Sequence, residues 1–233
     1  MPAAAKLTLC AVASREAVEG GVFLDSSLMD KARLGFERTQ SQVAAFHESE
    51  LHLREGRPIH RLLDELRAER ATMVAVGSHR HSRAAGIALG SVARAMLHEA
   101  GCSVLVAHAG DEPALDARGP DFGDVVVGFD GSGGARRALG VGLELAGRLS
   151  VNLRVFVATG DAHPPGPGWS RDELGENLAV SEDPRAAVDA LTAASGSAGL
   201  LVLGSRHLRG IPALASVSER VAPRASCPVL VVR

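Results

Sequence analysis

The apolar positions of this chain alternate between two rhythms. Short apolar-rich runs at Lys6–Val12, Met73–Val76, Ser103–Ala107, Val125–Phe129, Leu153–Ala158, Leu200–Leu203 and Val229–Val232 read as buried strands. Between them the apolar residues return at helical spacing. Ala135, Ala138, Leu139, Gly142, Leu145, Ala146 and Leu149 share one face, with Arg136, Arg137, Glu144 and Arg148 largely on the other. Asp25–His52 and Pro58–Glu69 also read as helices, and Ala186–Ala194 as a short one. Gly160–Ser170 (GDAHPPGPGWS) is a Pro/Gly loop that cannot be helical. Strand alternating with helix predicts a parallel, right-handed, doubly wound α/β sheet.

The pattern also repeats. Met73–His108 and Leu200–Arg233 each run strand, Gly-Ser turn, basic loop, Ser-Val helix opening, small-residue break and second strand. Gly77 aligns with Gly204 at an offset of 127, and Ser91 with Ser216 at 125, so the second copy is two residues shorter inside the loop. This period is too long for a solenoid unit. It predicts two related α/β domains, at residues 1–110 and 124–233. They are joined by a linker, 111–123, inside the Pro-, Gly- and Asp-rich stretch Ala109–Gly123. Lys6–Val12 resembles Asn152–Ala158 at an offset of 146, and nothing before Lys6 matches Val125–Phe129 and its helix. The first domain is therefore expected to lack its first strand and helix. Either its partner strand comes from elsewhere or the start of the chain is set too late.

Composition narrows the function classes. Hydrophobic residues make up 46% of the 233, but aromatics only 3% and tyrosine is absent. The interior must be built from Ala, Val and Leu, as in a parallel sheet under Ala-rich helices. The net charge of −2 gives no electrostatic footprint for nucleic acid, and few aromatic rings are available for base stacking. No apolar run approaches the length of a membrane span, and the start of the chain reads as a strand rather than a signal peptide. Cys10, Cys102 and Cys227 are sparse and strand-embedded, which points to buried thiols in a reducing, cytoplasmic setting.

Candidate chemistry lies in the repeated loop. Gly77 leaves a strand, and Gly90-Ser91 opens a helix whose amides and dipole can take phosphate oxygens. The bland alternative is a turn followed by a helix cap. His79-Arg80-His81 lacks the carboxylate or cysteine cluster of a metal site, so no metal is expected. Gly131–Arg136 lacks the third glycine of a dinucleotide fingerprint. No nucleophile–base–orienter set is visible, and no enzyme is expected.

The Gly-x2-Gly-x9-Gly-Ser spacing, the Ser-Val helix, the terminal Cys-Pro-Val-Leu-Val-Val and the VVVGFDGS of Val125–Ser132 together resemble the universal stress protein family. The resemblance covers most of the chain as a tandem pair. It implies two Rossmann-like domains of strand order 3-2-1-4-5 that pair through sheet edges, as a pseudo-dimer of domains or by self-association. It also implies a loop that holds the phosphates of ATP, with Mg2+, without catalysis. By that comparison Asp130 contacts the nucleoside, Gly77, Gly90 and Ser91 hold phosphates in one half, and Gly204 and Ser216 do so in the other. The motif's second glycine is Arg80 in the first half, where its cation can serve a phosphate or crowd the loop. His207 and Ala215 replace glycines in the second. Two readings stay open: a nucleotide-binding stress-response protein, or a nucleotide-free interaction scaffold.

Overall fold

The computed structural model describes residues 6–13, 33–34, 37, 49–78, 89–108, 123–160, 174, 178–205 and 216–233. The chain divides into two compact units, Met1–Arg70 and Ala71–Arg233. In the first, β1 (Leu7–Ala13) pairs in parallel with β2 (Ser49–Glu55), from Leu7 opposite Ser49 to Ala13 opposite Glu55. Helix α1 (Pro58–Ala68) follows, with proline in its first turn, where a missing N–H costs no hydrogen bond. The helix expected over Asp25–His52 is corrected at its end, because Ser49–His52 belong to β2. Glu50, Leu51, His52, Leu53 and Arg54 alternate polar and apolar, and that period-two signal outweighs helical spacing. Arg33, Leu34 and Glu37 are helical, and the rest of 25–48 lies outside the described residues.

An ion network ties this unit together. Glu65 of α1 is 8% exposed and accepts from Arg54 Nε at 2.8 Å and Arg54 Nη2 at 3.1 Å, while also meeting His52 Nδ1. Lys6 Nζ lies 2.9 Å from both Glu50 and Glu69. Burial pushes the Glu65 carboxyl up, but hydrogen bonds from His52 and Arg54 outweigh it and hold the group below the usual glutamate range. A carboxyl lowered in the fold contributes stability above its unfolded value and loses it as pH falls through the folded one. The stability of this unit against heat should therefore decline as pH falls below about 4.3. Glu65→Gln should flatten that dependence; an unchanged acid slope in the variant would show that Glu65 does not set it.

The second unit is built on one seven-stranded sheet. Its strands are β3 (Met73–Ser78), β4 (Ser103–His108), β5 (Val125–Gly128), β6 (Leu153–Ala158), β7 (Ala179–Asp183), β8 (Leu200–Gly204) and β9 (Val229–Val232). Across the sheet they run β3-β4-β9-β8-β5-β6-β7. Its helices are α2 (Ser91–Glu99), α3 (Gly133–Leu149), α4 (Ala187–Ala194) and α5 (Val217–Val221). Counted from the start of the second repeat, that repeat's strands follow 3-2-1-4-5. Every neighbouring pair is parallel except β4 and β9, which run antiparallel with Val104 opposite Val231 and Val106 opposite Val229. The two terminal strands of the repeats thus meet edge to edge, as the resemblance implied.

Small residues let the layers close. Val125, Val126, Val127, Val155, Val157, Leu201 and Val202 are almost wholly buried, and Ala138 and Ala146 turn their methyls onto the sheet. A Cβ on Gly142 would stand 2.5 Å from Val127 Cγ2, so α3 approaches β5 closely only because that position has no side chain. The junction of the repeats is also clamped from the chain's last residue. The Arg233 guanidinium donates to the carbonyls of Leu97 and Ala100 at the end of α2, and its backbone N–H reaches Ser103 Oγ at 3.4 Å.

Candidate functional site

Helix α2 runs back along the sheet, so Gly90 and Ser91 return to the edge at which Gly77 and Ser78 leave β3. Ser103 N, just past the helix, bonds Thr72 O at the opposite edge at 3.2 Å. Gly90 is the N-cap in an extended conformation, has no side-chain oxygen to offer, and α2 starts without a side-chain cap. Its first turn therefore keeps the donors that a capped helix spends on itself. Ser91 and Arg94 are exposed, and with Leu89, Ala95, His98 and Glu99 they line an open recess of about 420 Å³. Among the described residues, a Cβ on Gly77 would meet nothing within 4 Å, so that backbone is open to close approach on their side. Arg80, His79 and His81 lie outside the described residues, as do His207 and Ala215.

The second repeat closes the same features on itself. Asp130 Oδ1 accepts from Ser132 N at 3.0 Å, and Ser132 Oγ caps α3 by accepting from Ala135 N at 3.2 Å. Ser216 accepts from Glu219 N at 3.4 Å and lies 3.0 Å from Ser218 Oγ. Ser216-x-x-Glu219 has the sequence form of a capping box, with a serine at the helix start and a glutamate three residues on. Gly204 lies against the start of α3: a Cβ there would stand 2.3 Å from the Gly134 carbonyl carbon. Gly204 and Asp130 thus flank one helix start, while Gly77, Gly90 and Ser91 belong to the other repeat.

The two groups cannot share a ligand. Four strand steps of about 4.8 Å, roughly 19 Å in all, separate β3 from β5. The antiparallel β4–β9 junction also turns the carboxyl ends of the two repeats toward opposite edges of the sheet. Asp130 is therefore remote from the Gly77 loop.

Two residues escaped the sequence reading. Arg94, one turn into α2, aligns with Glu219 at the same offset of 125 that pairs Ser91 with Ser216. The helix start of the first repeat thus carries a cation where the second carries a carboxylate. Gly134 is the backbone seat of Gly204. The repeat alignment contained the first signal; nothing local marked the second.

Other clusters have structural roles. Ser78 Oγ and His108 Nδ1 lie 3.0 Å apart, both buried, and join the ends of β3 and β4. His52, Glu65 and Glu69 bring one ligand atom each within 4.8 Å of one another. A dication there would have to displace Arg54 from Glu65 and Lys6 from Glu69. Burial pushes the Cys10 and Cys102 thiols up, which keeps them protonated near neutral pH.

The fold defines a tandem α/β protein of the doubly wound class. The chain belongs to the universal stress protein family: the model described as "Universal stress protein family" matches residues 3–108 and 168–233. A universal stress protein of Mycolicibacterium smegmatis is 33% identical over 186 residues, 70% of this chain and 62% of that protein. Universal stress protein Rv2005c of Mycobacterium tuberculosis is 32% identical over the same shares. The chain thus spans about 62% of the length of these relatives. Among solved structures, a universal stress protein from Archaeoglobus fulgidus superposes with a TM-score of 0.66 at 22% identity, covering 97% of this chain and 86% of that one. A putative universal stress protein from Pseudomonas aeruginosa gives 0.65 at 16%, covering 99% and 93%. These two likenesses establish the fold alone. No described helix is long and apolar enough to cross a membrane.

Proposed function

We propose that this chain is a cytoplasmic stress-response protein that binds an adenine nucleotide, ATP with Mg2+ carried on its phosphates, without turning it over. The site is the first-repeat loop, with the backbone of Gly77 and Gly90, the amides and hydroxyl at Ser91, and Arg80 as a loop cation. Arg94 adds a second cation one turn along α2. The observation that carries the reading is the contrast between the two helix starts. One is uncapped beside Arg94, and the other pairs the Ser216 cap with Glu219. An anion is favoured at the first and opposed at the second. Asp130, Gly204 and Ser216 then form a vestigial second site.

Equilibrium dialysis with labelled ATP tests this directly, and no binding at millimolar nucleotide eliminates it. Arg94→Glu should weaken binding by about tenfold or more, since a charged hydrogen bond contributes about 1.5–3 kcal/mol. Ser216→Ala, which removes only the cap of the second helix start, should leave the first site unchanged. Equal losses in both variants would refute the asymmetry.

The second reading is a nucleotide-free scaffold, supported by the self-capped second repeat and the edge-paired repeats. It predicts that Gly90→Val leaves partner binding and stress phenotype intact. The nucleotide reading predicts that both fail.

A further inference from the structure

The recess beside α2 takes its charge from one side chain. Ser91, Arg94, Ala95, His98 and Glu99 recur at helical spacing, so they line it from a single face of the helix. Arg94 and Glu99 carry opposite fixed charges that cancel. With a neutral His98 imidazole the described lining is therefore uncharged, and with an imidazolium it carries one positive charge. Histidine is the side chain whose charge ordinarily changes between about pH 5 and 8. At the offset of 125 the counterpart of His98 is Pro223, so the second repeat has no titrating group at this place.

The other repeat holds this imidazole. His98 Nδ1 lies 3.6 Å from Glu219 Oε1 on α5, and the two form an ion pair whenever the ring is protonated. The His98 side chain is 60% exposed, so it exchanges protons freely with solvent. Helix α2 packs on β3, β4 and α5. Besides Glu219, α5 brings Arg220, and α2 itself brings Arg94 and Glu99. Arg233 stands at the same helix end, bonded to the Leu97 and Ala100 carbonyls, and its charge also acts on Glu219. Burial pushes the Cys102 thiol up, so that group stays uncharged near neutral pH. The one titratable side chain of β3 and β4 is His108, at the end of β4 away from the last turn of α2. Among the described residues around His98, only the imidazole itself changes charge across the neutral range.

We infer that His98 is a pH-dependent anion contact of the first-repeat site: protonated, it turns the recess cationic and tightens the hold on a phosphate-bearing ligand. Neutral, it leaves Arg94 alone against Glu99. The inference rests on the nucleotide reading and adds its regulation. Binding strengthens as pH falls through the titration of the imidazole and weakens as pH rises through it. Glu219 keeps the ring at the recess wall, so the second repeat, unsuited to an anion at its own helix start, supplies the partner of the first site's titrating group.

Equilibrium dialysis of the full chain with labelled ATP and Mg2+, at about pH 8 and about pH 5.5, tests it. The lower value stays above the range in which Glu65 loses its contribution to stability. Protonation of the nucleotide itself is common to all variants, so the quantity read is the affinity of wild type divided by that of His98→Gln. That ratio should be about 1 at the higher pH and about threefold to fivefold at the lower, the worth of one exposed charge pair. His98→Arg, whose cation is permanent, should show the raised ratio at both values. A wild-type ratio that does not change with pH overturns the inference and leaves nucleotide binding standing. A raised ratio for His98→Arg only at low pH overturns it too, because the titrating group would then lie elsewhere. No binding by any of the three proteins at either pH overturns this inference and the nucleotide reading together.

Discussion

Gly204→Ala should destabilise the Ala71–Arg233 unit by roughly 3–5 kcal/mol, near the top of the range for single substitutions. The new methyl would stand 2.3 Å from the carbonyl carbon of Gly134, 2.5 Å from its oxygen and 2.6 Å from Ala135 N. All three are backbone atoms in the first turn of a 17-residue helix, so no side chain can swing aside. Relief requires α3 to lift from β8, which opens the layer that buries Val127, Ala138 and Val202. For a unit of this size the melting temperature should fall by about 10 °C. Gly77→Ala is the matched control. Among the described residues nothing lies within 4 Å of its Cβ, and stability should stay within roughly 0.5 kcal/mol. Urea unfolding of both variants decides the matter. Similar losses at the two glycines would mean that the α3 seat is not what constrains Gly204.

The second large effect is at the last residue. Arg233→Ala removes the charged donors to the Leu97 and Ala100 carbonyls, both on buried residues at the end of α2. Two charge-assisted bonds and a cation at a helix C-terminus are lost together, and the carbonyls are left without those partners. A cost of about 3 kcal/mol is expected, at an unchanged m-value. Burial lowers the Arg233 pKa, yet an arginine stays protonated at neutral pH, so the clamp should persist between pH 6 and 8. Arg233→Lys should recover only part of the loss, because an ammonium cannot fork between two carbonyls. A melting temperature unmoved by Arg233→Ala would remove this clamp from the account of how the repeats are joined.

Much of the fold was legible because parallel strands buried on both faces read as β-branched runs. Val125–Phe129 and Val229–Val232 needed no other signal. Strand β7 did not announce itself, since Ser181, Glu182 and Asp183 lie at a sheet edge where polar residues are tolerated. The start of strand β2 was absorbed into a helical reading because its five alternating residues, Glu50–Arg54, adjoin a longer helical pattern. The Glu65 network joins residues from β2 and α1 that are polar in the sequence and partly buried in the fold, and no local pattern distinguishes them from solvated charge. In the candidate loop the glycines and Ser91 stood out through spacing. Arg94 did not, because one basic residue on an exposed helix face looks ordinary until Glu219 is set beside it.

By itself the sequence determined that two related α/β repeats exist and where each turns from strand to helix, because hydrophobic period and turn chemistry are local properties. Only the tertiary structure decided that β4 and β9 meet antiparallel and send the two loops to opposite edges. It also decided that Asp130 is out of reach of Gly77, and that one helix start is self-capped while the other faces a cation. Those outcomes depend on hydrogen bonds and backbone contacts between segments far apart in the chain, which no local pattern encodes.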